Sequence, residues 1–132
     1  FLDAPHAQLL GTYAFCAQTV LATVISRPTP ERVVLDAGTK ALTYYVQDKG
    51  VTRSTGHWRL KAHPDIFLDK MSDEHSSFDI PEGSGLEFPI GRKLEVIPNH
   101  ACPTTNLYDV IYGVRSGSVE TVWPVLCRGK SQ

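Results

Sequence analysis

The apolar positions along the chain fall into short runs separated by turn residues. Thr19 to Ile25 (TVLATVI) is rich in β-branched residues and stops before Pro28, as a buried strand would. Val33-Val34-Leu35 is a second run, closed by Asp36-Ala37-Gly38, where a turn is expected. Ala41 to Val46, with Tyr44 and Tyr45, reads as a further strand. Around Leu94 and Val96 the apolar residues alternate with Lys93 and Glu95, the pattern of a half-buried strand. Val110 to Val114 and Val119 to Leu126 predict a hairpin turning through Ser116-Gly117-Ser118. Gln47 to Pro64 predicts a long loop, and no helical stripe persists over three turns.

These elements predict a single, mainly β domain over residues 1–132, an antiparallel β barrel or sandwich. The alternative is an α+β domain with one short helix near residues 62–72. The length, 132 residues with 42% hydrophobic composition, suffices for one core without disulfides.

Charge narrows the partners. Thirteen basic and fourteen acidic residues leave a net charge of −1. Nucleic acid and anionic membrane surfaces usually require a basic patch, so neither is expected. No apolar run approaches the ~20 residues of a spanning helix. The three cysteines, Cys16, Cys102 and Cys127, form no close pair, which points to a reducing, cytoplasmic setting. Cys16 and Cys127 sit in apolar surroundings and read as small core residues.

The chemistry concentrates in Pro98-Asn99-His100-Ala101-Cys102-Pro103-Thr104-Thr105-Asn106-Leu107-Tyr108-Asp109. If this segment is extended, His100 and Cys102 point to the same side, and imidazole nitrogen with thiolate sulfur is a zinc-type donor pair. By spacing alone, His-x-Cys is more often the pattern of a satisfied histidine beside a small buried cysteine than of a metal pair. Asn106, Tyr108 and Asp109 follow closely enough to orient such ligands, although Asp109 also fits a solvated strand edge. His6, His57 and His63 lie in loop contexts that suggest exposure.

The same segment resembles the signature near the C-terminus of the eukaryotic-type D-serine dehydratases. These are relatives of the D-threonine aldolases within the pyridoxal-phosphate enzymes of alanine racemase-type fold. Further blocks follow in the family's order: Gly11-Thr12-Tyr13, Thr19 to Ser26, Leu35 to Leu42, Ser72-Asp73-Glu74-His75, Gly91 to Ile97, and Trp123-Pro124-Val125 with Arg128-Gly129.

The resemblance implies the C-terminal β domain of an enzyme whose N-terminal (β/α) barrel, with its cofactor lysine and phosphate site, is absent from this chain. It implies zinc at His100 and Cys102, and pyridoxal phosphate only through that barrel. Where the aldolases tend to carry a carboxylate, this chain has Cys102, which favours the dehydratase branch. Glu74 and His75 match a Glu-His pair of the family and are candidate catalytic residues; a surface turn is the alternative. Asp36-Ala37-Gly38 is either a turn or a lining of a partner subunit's site. Phe15 runs almost directly into Cys16-Ala17-Gln18, where the family has a longer loop.

The implied activity is a lyase reaction on a small D-3-hydroxy amino acid, in which the metal assists departure of the substrate hydroxyl. The expected partners are a barrel domain or partner subunit, in a homodimer for example, and the isolated chain is expected to be inactive. Two other readings stay open: a stand-alone, non-catalytic metal-binding or interaction module, and a D-threonine aldolase-type lyase.

Overall fold

Alternation in β1 (Val20–Ser26) sets the inside of the sheet. Ala22 and Val24 are fully buried, while Leu21 between them and Thr19 points out to solvent. The computed structural model describes residues 2–47, 49–54 and 56–130. β1 pairs antiparallel with β2 (Arg32–Leu35) on one side and with β6 (Lys93–Ile97) on the other. β6 carries the expected alternation, with Leu94 and Val96 buried and Lys93 and Glu95 exposed. β2 continues outward to β5 (Ser76–Asp79) and β4 (Lys70–Met71), and β6 continues to β3 (Arg59–Leu60).

The resulting order, β3-β6-β1-β2-β5-β4, is antiparallel throughout. The sheet also curls until its ends meet. His57 and Leu60 donate to Leu68 and Ile66, Leu68 donates back to Trp58, and Arg59 bridges Phe67. Curling leaves fewer exposed strand edges and encloses a core of Val24, Val33, Leu35, Trp58, Leu60, Leu68, Phe78, Phe88 and Val96. Phe78 and Phe88 meet edge to face at 5.2 Å. The mainly β, barrel-like expectation therefore holds.

Two details depart from it, and the helix near residues 62–72 of the alternative reading does not form. The run Ala41–Val46 is no strand: α2 (Thr39–Leu42) occupies its start, followed by an irregular segment with Thr43 at φ 62. The reason is tertiary. The first N–H groups of α2 donate to the carbonyls of Ser72 and Asp73, and a Cβ on Gly38 would lie 2.4 Å from Ser72 O. The chain must turn helically where it meets the Ser72–His75 turn, and this overrides the β propensity of Tyr44 and Tyr45. Residues 62–72 form no helix; they make a turn and then the edge segment that closes the sheet. The Gln47–Pro64 stretch is mostly irregular but contains β3, and its Asp48 and Thr55 lie outside the described residues.

The hairpin is found as expected, with β7 (Val110–Arg115) paired to β8 (Ser118–Pro124) in a separate two-stranded sheet. Gly113 has a local purpose, since a Cβ there would lie 2.7 Å from the Trp123 ring that crosses the strand. Two short helices complete the chain: α1 (Ala4–Leu10), opened by Pro5 and ended by Gly11 at φ 69, and α3 (Ala101–Thr105). α1 packs Ala4 and Ala7 with Cys16 and Ile97 in a second small core. Cys16 is buried as expected. Cys127 is exposed, because the segment after β8 packs against no core cluster. No helix among the described residues is long and apolar enough to cross a membrane.

A single buried amide joins sheet, loop and α3. Asn99 Nδ2 lies 2.9 Å from Tyr45 O, 3.0 Å from Gly56 O and 3.3 Å from Ser54 Oγ. Asn99→Ala leaves these acceptors without that donor and is expected to cost about 2 kcal/mol. Urea denaturation checks this; a loss within about 0.5 kcal/mol, the range of ordinary surface substitutions, would contradict it.

A surface pair makes a pH-dependent prediction. The hydrogen bond from Lys61 holds Glu95 below the ordinary value of 4.5, helped by Thr19 and opposed by partial burial. A depressed carboxylate stabilises the fold above its ordinary value and loses that contribution as pH falls through the folded value. The pair is about half exposed, at 45% and 47%, so solvent screening keeps it below about 1 kcal/mol. Glu95→Gln should lower stability slightly at pH 7, and the difference from wild type should shrink once pH drops below 4.5. A difference unchanged down to acid unfolding would contradict the assignment.

Candidate functional site

The strand-to-helix junction after β6 builds the site. Pro98 ends the extended run, and its carbonyl accepts the Ala4 N–H, at 3.0 Å, which seats the start of α1 beside it. Asn99 is buried beneath the loop, and His100 is still extended, at φ −144 and ψ 112, as the N-cap of α3. The change from extended to helical backbone falls between His100 and Cys102. The two are therefore not successive same-side residues of one strand, as the spacing had suggested. Pro103 sits inside the first turn of α3, where its missing N–H costs no helical bond. Cys102 is exposed, and the His100 side chain is 34% exposed.

His100 is held on two sides. Its Nδ1 lies 3.3 Å from Asp3 Oδ2, and its ring leans on Tyr45 with centroids 4.7 Å apart. The Asp3 side chain is only 6% exposed. The same Oδ2 accepts the Ala101 N–H at 3.2 Å, so Asp3 caps α3 from across the fold. Its other oxygen lies 2.5 Å from His6 Nδ1. Burial alone would push the Asp3 carboxyl up. The bonds from His6, Ala101 and His100, with the charge of His6, outweigh it and hold the carboxyl below 3.8.

The remainder of α3 is tied to α2. Thr104 Oγ1 lies 2.8 Å from His100 O and 3.2 Å from Leu42 O, and Leu42 O also accepts the Trp58 indole N–H at 3.3 Å. Residues 98–104 are thus braced by α1, by the loop through Tyr45 and by α2.

The other candidates lie elsewhere. Glu74 and His75 are exposed on the β4–β5 turn, where Glu74 pairs with Lys40 at the start of α2. Thr23 N–H donates to Asp36 Oδ1 at 2.6 Å, which fixes the β1–β2 crossing, so Asp36 is engaged in a structural bond. Asn106, Tyr108 and Asp109 do not orient His100 or Cys102. Asn106 accepts the Gly129 N–H, Tyr108 donates to Ala41 O at 2.8 Å, and Asp109 pairs with Arg128 at 2.8 Å. The histidines expected in exposed loops are mixed. His6 is exposed on α1. His57 is half-buried between the rings of Tyr44 and Trp58, and His63 is half-buried edge-on to Phe88. Burial lowers the His57 pKa.

Two residues of the site, Asp3 and Asn99, were missed by sequence reasoning. Asp3 carries a local signal, an acid two positions before Pro5 at a helix start. Its pairing across 97 positions with His100 has none.

As donors, His100 and Cys102 fit a zinc-type ion: one imidazole whose Nδ1 is already engaged, and one accessible sulfur. Among the described residues there is no group of three or more His, Cys, Asp or Glu placed to hold a metal. A metal here would complete its coordination with water or another molecule.

Comparison with known proteins extends this picture. A family model described as "Putative serine dehydratase domain" matches residues 17–114. An uncharacterized protein of Mycobacterium tuberculosis is 40% identical over 119 residues, covering 87% of this chain and 86% of that protein. D-threonine aldolase of Arthrobacter sp is 35% identical over 86% of this chain, but the chain spans only 27% of that enzyme.

Among solved structures, D-threo-3-hydroxyaspartate dehydratase from Delftia sp. superposes with a TM-score of 0.72 at 25% identity, over 96% of this chain and 36% of that one. An alanine racemase-like protein from Idiomarina loihiensis gives a TM-score of 0.68 at 26% identity, over 80% of this chain and 30% of that one. The Delftia enzyme has also been solved as a cysteine-to-alanine mutant in the metal-free form, and with a histidine two positions earlier changed to alanine. The fold is thus that of a β domain found in alanine racemase-like enzymes, and the chain belongs to the serine dehydratase domain family.

Proposed function

We propose that this chain is the zinc-bearing C-terminal domain of a pyridoxal-phosphate-dependent lyase acting on D-3-hydroxy amino acids. The observation that carries the reading is the braced junction at His100 and Cys102, a His-x-Cys pair with the spacing of the two positions mutated in the Delftia enzyme. When bound, zinc would supply a Lewis acid for the substrate's 3-hydroxyl, and pyridoxal phosphate, held by a barrel domain, an electron sink at Cα.

The chain's own residues present the donors. Asn99 and Thr104 fix the backbone on either side of them, and Tyr45 covers one face of the imidazole. Two protein ligands leave coordination positions for water and substrate, the arrangement of an open site. Cys102 favours elimination of the hydroxyl over cleavage of Cα–Cβ. The aldolase reading is supported by the 35% identity to the Arthrobacter enzyme. Glu74 and His75, on the β4–β5 turn, are proposed to face substrate in the assembled enzyme.

A second reading has its own support. The chain covers 86% of the M. tuberculosis relative, so a domain of this size, without a barrel in the same chain, has a counterpart. Such a protein would bind metal or a partner without catalysing the reaction alone. The two readings differ in one result: D-3-hydroxy amino acid turnover on co-expression with a barrel domain supports the enzyme, and zinc binding without turnover supports the module.

Zinc affinity tests what the two readings share. Wild type should bind one zinc per chain at pH 7. Cys102→Ala and His100→Ala should each weaken binding by about tenfold or more, since each removes one of two ligands. Competition with a chromophoric chelator reads this, and equal affinity in all three proteins would refute the site.

The hairpin supplies a proposed docking face. Tyr112, Val114, Val119 and Val122 line one side of it, and they are 60%, 61%, 58% and 49% exposed. We propose that this side is covered by the barrel domain or a partner subunit. The chain alone should self-associate as its concentration rises, and Val122→Asp should reduce this. Sedimentation showing a monomer at all concentrations would argue against that role.

A further inference from the structure

We propose that Asp3 is a positioning residue that fixes the tautomer and aim of His100, so that Nε2 carries the lone pair available to a metal. The part of this that concerns metal rests on the zinc reading above; the part that concerns the tautomer stands on geometry alone. Asp3 lies outside the residues matched by the family model, so the assignment comes from this structure.

Four observations converge. A carboxylate can only accept, so the proton between Asp3 Oδ2 and His100 Nδ1, 3.3 Å apart, belongs to the imidazole. That leaves Nε2 unprotonated in the neutral ring, and among the described residues no protein group engages it. Second, Asp3 is fixed independently of His100. The Ala101 N–H holds Oδ2 at 3.2 Å and His6 Nδ1 holds Oδ1 at 2.5 Å. Third, the backbone on either side of Asp3 is anchored: the Asp3 carbonyl accepts the Ala7 N–H and the next residue, Ala4, donates to Pro98 O, each at 3.0 Å. Fourth, the Tyr45 ring restricts rotation of the imidazole about its own axis.

A carboxylate that buttresses a ligating histidine raises its basicity and fixes its orientation, and losing such a partner typically weakens metal binding about 10- to 100-fold. Free imidazole in a histidine side chain has no such bias toward the Nδ1–H form.

The test uses the full chain. Nitrogen-15 chemical shifts of the histidine rings, measured without metal above the histidine titration, should show His100 as the Nδ1–H tautomer in wild type. The same spectra on Asp3→Ala should show a mixture or the Nε2–H form. Zinc affinity by chelator competition should fall about 10- to 100-fold in Asp3→Ala, while Glu120→Gln, which removes only the hairpin's surface pair with Arg115, should stay close to wild type.

An Nε2–H tautomer for His100 in wild type overturns the proposal, and so does unchanged zinc affinity in a folded Asp3→Ala. The wild-type tautomer needs no variant, so the proposal stays falsifiable if Asp3→Ala does not fold. Wild type that binds no zinc but shows the Nδ1–H form would sink the zinc reading while leaving the tautomer assignment standing.

Discussion

The buried amide of Asn99 is where the sheet, the irregular loop and α3 are held to one another. The loop through Tyr45 and Gly56 has few ladder bonds of its own, and its carbonyls must find donors once the sheet buries them. Asn99, two residues after β6, directs its two N–H groups at the carbonyls of Tyr45 and Gly56, with the Ser54 hydroxyl alongside. This places Tyr45 against His100, and the fixed backbone lets α3 begin with its first N–H directed at Asp3. The candidate chemistry is built on a rigid strand end and braced from three sides, which is the general requirement for holding a small number of ligands in place.

The electrostatic pattern is economical. One buried carboxylate serves as helix cap, as partner of His6 and as partner of His100, so its desolvation cost is offset by three N–H donors. Glu95, Asp109 and Glu74 are paired at the surface with Lys61, Arg128 and Lys40, where water screens them and each is worth little. Asp3 is the one whose loss reaches both the fold and the site.

The β character was legible in β1 from its β-branched run and in β6 from its alternation; β1 was expected to be buried on both faces, yet only Ala22 and Val24 lie inside and Leu21 and Ile25 are exposed. The hairpin was legible because a Gly-containing turn separates two β-branched runs. What escaped was set by contacts distant in sequence. Ala41–Val46 has strand-like residues, yet α2 forms because its N–H groups meet the carbonyls of Ser72 and Asp73. β3 and β4, of two residues each, are too short to show a period. At the site, His100 and Cys102 were legible as a donor pair, and only through a resemblance as a metal pair. Asp3 was invisible, since no local pattern ties residue 3 to residue 100. Cys127 resembled a core residue because its neighbours Val125 and Leu126 are apolar, yet it is exposed and belongs to neither core cluster.

The central claim is that His100 and Cys102 ligate the same zinc ion. Zinc K-edge X-ray absorption on the chain loaded with one equivalent of zinc addresses it directly. The account predicts one sulfur scatterer at about 2.3 Å with nitrogen and oxygen scatterers at about 2.0–2.2 Å. The sulfur shell should be lost in Cys102→Ala. A first shell of nitrogen and oxygen only in wild type, or a sulfur shell that survives in Cys102→Ala, would contradict it.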